Sequence, residues 1–289
     1  IPWLDRDAGV LYEEDSMYSH ITVKDRSPEE RVLIMDGLVH NFYNPRDPDE
    51  LIYSYERIYR SVTEKFIQGI KGDGPLRTLT LGGGALTFPS YIERHYPKSN
   101  NTVVEIDPQV IEVAYRYFDI SRNTELNIRI ADARQYVRNF QGEKEFHIVY
   151  LDVFDSYSIP SHLTTEEFSE EIKDLLQPEG ILLVNLIDIY SEGRFLSAYS
   201  RTVGKVFPEV RVYSSPNFNH DSRNTFVLLA GSDLSTIGGL TTSDGRMYEM
   251  LDKKDLALLQ KRTGTSILTD NYSPVEILLA PVFYNALFQ

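Results

Sequence analysis

The sequence predicts an α/β fold: a doubly wound, mostly parallel sheet covered on both faces by helices and preceded by a small antiparallel β-unit. Two observations carry this expectation. From Leu76 onward, short apolar runs alternate with segments of helical period, the rhythm of parallel strands joined by helical crossovers. Before that point, apolar residues come in short stretches separated by charged and turn-forming residues, as in hairpin-linked strands. The chain of 289 residues, 42% apolar and 25% charged, is long enough to bury a sizeable core. Collagen-like, disordered and disulfide-scaffold classes are excluded on composition.

In chain order, Val10-Leu11-Tyr12, Tyr18 to Val23 and Val32 to Met35 read as strands, giving an antiparallel unit over about residues 9–42. After the turn signal Asn44-Pro45-Arg46-Asp47-Pro48, the residues Leu51, Ile52, Tyr55, Ile58, Tyr59, Val62 and Phe66 recur at helical spacing. Strands are then expected at Arg77–Leu81, Asn101–Ile106, Asn127–Ile130, Phe146–Leu151, Gly180–Leu186, Val210–Tyr213 and Thr225–Ala230. Helices are expected between them at Phe88–Tyr96, Pro108–Phe118, Ala133–Asn139, Thr165–Leu176 and Glu192–Phe207. The stretch from Thr241 to Leu259 is polar and reads as helical near its end. The expected division is an N-terminal β-unit over 1–48 and a nucleoside-binding α/β domain over 49–289.

Charge narrows the partner. With 43 acidic against 29 basic residues the net charge is −14, which repels a phosphate backbone and favours a small cation. The absence of cysteine excludes disulfides, zinc-thiolate sites and thiol nucleophiles. The six histidines form no ligand pair of metal-binding spacing, and no Gly-x-Ser-x-Gly elbow is present. No apolar run approaches the roughly 20 residues that cross a bilayer. The expected location is the cytoplasm. The chain starts at Ile1-Pro2-Trp3 without an initiator Met and ends in Ala286-Leu287-Phe288-Gln289. A soluble domain cut from a longer protein, a membrane protein included, is the alternative that stays open.

The chemistry gathers at strand ends. Gly82-Gly83-Gly84 follows a strand and precedes a helix, where residues without a Cβ let the backbone turn tightly and approach a ligand. Glu105 closes the next strand, at the spacing from the glycines where an acid takes the ribose hydroxyls. Asp132 and Ala133 follow the third strand, placed to meet an adenine edge, although Asp132 is equally placed to cap the helix that follows. Asp152 and Asp155 follow the fourth, where two carboxylates can bind an amine and one can act as a general base. The alternative there is that Asp155 caps a turn and Asp152 alone faces the cavity. Gly84 is followed by Ala85-Leu86-Thr87 rather than the full G-x-G-x-x-G spacing, which favours S-adenosylmethionine or a relative over a nicotinamide cofactor.

These residues together resemble the spermidine synthase family, the polyamine aminopropyltransferases. Tyr18-Ser19-His20-Ile21 and Met35-Asp36-Gly37 resemble that family's N-terminal β-unit, and Asp49-Glu50-Leu51-Ile52-Tyr53 its Asp-Glu-x-x-Tyr segment. Leu81 to Gly84, Val104 to Asp107 and Asp152-x-x-Asp155 are similar to its glycine turn, acidic strand end and signature aspartates. Thr269 to Glu276 resembles a segment of divergent, often membrane-fused members. The resemblance implies a Rossmann-like, S-adenosylmethionine-dependent transferase fold. It implies an aminopropyl group moved from decarboxylated S-adenosylmethionine to an amine, with no metal. Glu105 would hold the ribose, Asp132 and Ala133 the adenine, and Asp152 would take the amine proton. Tyr53 and Asp155 would bind the diamine. The partner expected is a small cationic amine and not nucleic acid; a homodimer and a fused membrane region stay open.

Departures from the family pattern are equally specific. Ala85 stands where the family's turn carries an Asp that receives the donor's amine, and His40 where a Gln follows the Asp-Gly pair. Ser19, Ser54 and Ser156 replace a Gln, a His or Gln, and a Pro, and the Tyr-Pro-Ser-Gly acceptor loop is missing from Ser214 to Asn224. Loss of a carboxylate at position 85 removes the group that would repel intact S-adenosylmethionine. A methyltransferase and a non-catalytic nucleoside-binding domain are therefore the alternatives.

Overall fold

The computed structural model describes residues 9–70, 74–142, 144–154, 159–243, 245–264 and 266–287. Four strands, β1 (Val10–Asp15), β2 (His20–Ser27), β3 (Glu30–Met35) and β4 (Leu38–Tyr43), form an antiparallel sheet in that order. β4 was not expected as a separate strand. It forms because Asp36 and Gly37 both hold positive φ, 49° and 83°, in a two-residue turn whose twist matches paired strands. Ile21, Val23 and Leu33 point inward from this sheet and pack with residues of α3 (Pro108–Tyr117) and with Val103.

α1 (Ser54–Gly69) leads into an eight-stranded sheet. Its strands are β5 (Arg77–Leu81), β6 (Asn100–Glu105), β7 (Asn127–Ile130), β8 (Phe146–Leu151), β9 (Leu176–Ile189), β10 (Glu209–Ser214), β11 (Arg223–Gly231) and β12 (Glu249–Leu251). The order is β12-β10-β11-β9-β8-β5-β6-β7, with β7, β6, β5, β8 and β9 parallel and β11, β10 and β12 antiparallel. The other helices are α2 (Thr87–His95), α4 (Ala133–Asn139), α5 (Glu166–Leu175), α6 (Arg194–Val206), α7 (Lys253–Thr263) and α8 (Val275–Leu287). The expected α/β architecture is present, and β5, β7, β8 and α4 span the residues the sequence predicts.

Side-chain alternation assigns the two faces of the sheet. Ile148 and Tyr150 of β8 and Ile181 and Leu183 of β9 lie in one cluster with Tyr55, Ile58, Tyr59 and Val62 of α1. Val149 and Leu151, with Leu182, Val184 and Leu186, lie in the other cluster, with α5, α6 and α8. Continuing the same alternation past the strand carries Asp152 to the α1 side, and Asn185 falls on that side too. Among the described residues no helix is long and apolar enough to cross a membrane.

Candidate functional site

The winding of the large sheet reverses between β5 and β8: β6 and β7 lie to one side of β5, β8 and β9 to the other. Connections leaving the carboxyl ends of β5 and β8 diverge at such a point and leave a crevice. A cavity of about 710 Å³ occupies it, walled by the glycine turn, the ends of β6, β7, β8 and β9, the start of α1, and β4 of the small sheet. Gly82, Gly83, Gly84, Glu105, Asp132, Ala133, Tyr53 and Asp152 all line this one cavity. Asp155 lies outside the described residues.

The glycine turn and Glu105 are built as a unit. Glu105 is buried, and its Oε2 accepts from the Gly83 and Gly84 amides at 2.8 and 3.1 Å while Oε1 accepts from Asp107 N–H at 3.0 Å. Burial raises its pKa, and these backbone donors act against that rise. The carboxylate keeps lone-pair capacity on Oε1 for an incoming hydroxyl. Gly82 holds φ +89°, and a Cβ there would lie 2.0 Å from the Asp152 carbonyl oxygen. At Gly84, φ +48°, a Cβ would lie 2.5 Å from Asn41 Oδ1. Gly82→Ala is therefore expected to separate β5 from the end of β8 and to cost roughly 2–4 kcal/mol. Urea denaturation of the purified variant measures the loss.

Asp132 caps a helix and stands on the cavity wall. Its Oδ1 caps α4 by accepting from Gln135 N–H at 2.8 Å, while its side chain lines the cavity. His162 Nε2 lies 3.3 Å from Asp132 Oδ2 and shares the wall. His40 lines the opposite side; burial pushes its imidazole down to about 4, and its Nε2 has no partner among the described residues. Ala85 is fully buried and its N–H donates to Asn41 Oδ1 at 3.0 Å, so the small sheet holds the turn where the family's aspartate would stand.

Asp152 is held by one donor on each carboxylate oxygen. Tyr55 O–H donates to its Oδ2 at 2.8 Å and Asn185 Nδ2 to its Oδ1 at 2.9 Å. Burial raises its pKa, and the two donors offset part of that rise. Tyr53 lines the cavity, but its hydroxyl donates to the Val39 carbonyl at 2.8 Å; the phenol that reaches Asp152 belongs to Tyr55. Sequence reasoning missed Tyr55, Asn185 and Glu56 as site residues. Two of them left a trace: Glu56 is an acid in the apolar stripe of α1, and Asn185 a lone amide in the run Gly180–Leu186. Among the described residues no group of three His, Cys, Asp or Glu could hold a metal ion.

A switch-point cavity with a glycine turn, an acidic strand end and a part-buried carboxylate beyond them is the site architecture of a Rossmann-like transferase fold. A family profile described as the spermine/spermidine synthase domain matches residues 56–220, and the chain belongs to that family. The chain is 29% identical over 232 residues to a polyamine aminopropyltransferase of Vibrio vulnificus, covering 76% of this chain and 71% of that one. It is 30% identical over 123 residues to the human eEF1A lysine and N-terminal methyltransferase, covering 39% of this chain and 18% of that protein. Among solved structures, a probable spermidine synthase of Corynebacterium glutamicum superposes with a TM-score of 0.75 at 23% identity, over 91% of this chain and 98% of that one.

Proposed function

We propose that this transferase moves an aminopropyl group from decarboxylated S-adenosylmethionine to an amine acceptor. The observation that carries the reading is Asp152, held by Tyr55 and Asn185 in the same cavity as the glycine turn and Glu105. The amine nitrogen attacks the methylene beside the sulfonium. The new N–C bond forms as the C–S bond breaks, the electron pair stays on sulfur to leave a neutral thioether, and Asp152 takes the amine proton. Glu105 receives the ribose hydroxyls, Asp132 and Ala133 the adenine, and Tyr53 and Asp155 flank the diamine. In this reading residues 1–48 form a β-unit that closes the cavity over a transferase domain spanning 49–289.

A methyl transfer from intact S-adenosylmethionine is the second reading, and Ala85 favours it. A buried methyl group there presents no charge against the donor's carboxylate. Calorimetric titration with both donors separates the two. Aminopropyl transfer requires the decarboxylated donor to bind at least tenfold more tightly; tight binding of the intact donor alone would sink it.

A further inference from the structure

We propose that Glu56 is the second carboxylate of the cation site beside Asp152, holding a proton while the cavity is empty and releasing it when a diamine enters. The inference rests on the amine-acceptor reading and goes one step further, to how the site adapts its charge to a dication. Glu56 is only 1% exposed, yet it lines the cavity. Its Oε1 accepts from Thr87 Oγ1 at 3.2 Å, and the described residues provide it with no ion pair.

Its neighbours explain why it cannot stay ionised alone. Burial and then the Asp152 charge push its pKa up to about 8, against small opposing contributions from Thr87, the Tyr53 backbone and Arg57. The titratable and charged groups around it are Asp152 from the end of β8, Tyr53 just before α1, and Tyr55 and Arg57 on α1, with His40 of β4 and Arg223 of β11 lining the same cavity. Glu56 is also the third residue of α1, where an acid commonly caps the helix start. Capping alone accounts for one hydrogen bond and not for what lies opposite. Asn185 is 6% exposed and lines the same cavity, and its Oδ1 is a buried acceptor with no partner among the described residues. Asp152, Glu56 and Asn185 Oδ1 therefore present acceptors in excess of donors on the α1 side of the sheet. Ammonium groups supply both the missing N–H donors and the positive charge that lets Glu56 ionise.

The linkage has a definite sign. A carboxyl whose pKa is raised on folding destabilises the folded state as pH climbs through the window from 4.5 to about 8. Glu56→Gln is thus expected to melt higher than wild type at pH 8 and to match it at pH 4, which shows that the variant folds. The decisive measurement is calorimetric titration of 1,4-diaminobutane at pH 7 in buffers of different ionisation enthalpy. Wild type should release about one proton per bound diamine and Glu56→Gln about none, with weaker binding. Binding with no proton release, or equal release by both proteins, overturns the role of Glu56 and leaves the amine reading standing. Absence of diamine binding by both proteins, with decarboxylated donor still bound, overturns the inference together with the amine reading.

Discussion

Asp152→Asn is expected to lower turnover of aminopropyl transfer by roughly 10²–10⁴-fold, the range over which a positioned general base contributes. The substitution keeps the shape of the side chain and removes its ability to take a proton. Asn185 Nδ2 and Tyr55 O–H both donate to the present carboxylate, so the new amide must turn one N–H toward a donor. That mismatch is modest beside the loss of the base. Donor affinity should stay within a few-fold of wild type, because Gly83, Gly84 and Glu105, the nucleoside end in the proposed reading, are joined by side-chain bonds independent of the Asp152 carboxylate. Single-turnover rates with a diamine, beside calorimetric donor affinity, test both halves. Turnover within threefold of wild type would remove Asp152 from the base role, and a parallel collapse of donor affinity would make it a structural residue instead. Burial raises the carboxyl's pKa, so it is a stronger base than an exposed aspartate once ionised, and the rate should fall as acid protonates it.

The parts of this site that the sequence reveals are those that follow strands. Gly82, Glu105, Asp132 and Asp152 each sit within two residues of the end of a parallel strand, and parallel strands announce themselves as short apolar runs. Tyr55, Glu56 and Asn185 reach the cavity from a helix face and from within a strand. Their partners stand 97 residues away for Tyr55 and 33 for Asn185, a proximity only tertiary packing creates. The elements missed have equally local reasons. α8 (Val275–Leu287) is apolar nearly all round and carries Pro281, so it offers no polar face against which a period can be read. It packs Val275, Leu279 and Val282 into the core while Ile277 and Tyr284 stay exposed. β9 (Leu176–Ile189) is twice the length expected because pairing with β8 begins at Leu176, ahead of Pro178 and Gly180, residues that read as a strand boundary.

A large stability effect is also expected at Arg134, which no motif singles out. Its guanidinium is 5% exposed and every one of its N–H donors is used. Nε and Nη2 bond Glu171 at 3.1 and 3.0 Å, Nη1 and Nη2 bond Asp270 at 2.6 and 2.8 Å, and Nη1 also reaches the His162 carbonyl at 3.0 Å. Four pieces of chain meet on one side chain: α4, the turn at His162, α5 and the segment around Asp270. Thr165 Oγ1 adds a bond to Asp270 Oδ1 at 2.8 Å, and Asp270 N–H donates to Glu167 at 3.0 Å. Arg134→Ala leaves two carboxylates facing each other with only the exposed Arg138 nearby, and is expected to cost about 3 kcal/mol, a fall of roughly 6–12 °C in Tm. Arg138→Ala, at the same carboxylates but half-exposed, should cost less than about 1 kcal/mol. Arg134→Lys should recover only a minor part, since an ammonium offers three donors in place of five. The hydrogen bonds from Arg134 hold Asp270 below the usual carboxylate range. This contribution is therefore present above the ordinary aspartate pKa and lost as pH falls through the depressed one, so Arg134→Ala should be less sensitive to acid there than wild type. Because Asp132 caps the start of α4 and the held carbonyl belongs to His162, both on the cavity wall, donor affinity should weaken along with the fold. Thermal melts at pH 3 and pH 7 with donor titration on the same samples check the set; an unchanged Tm in Arg134→Ala would refute it.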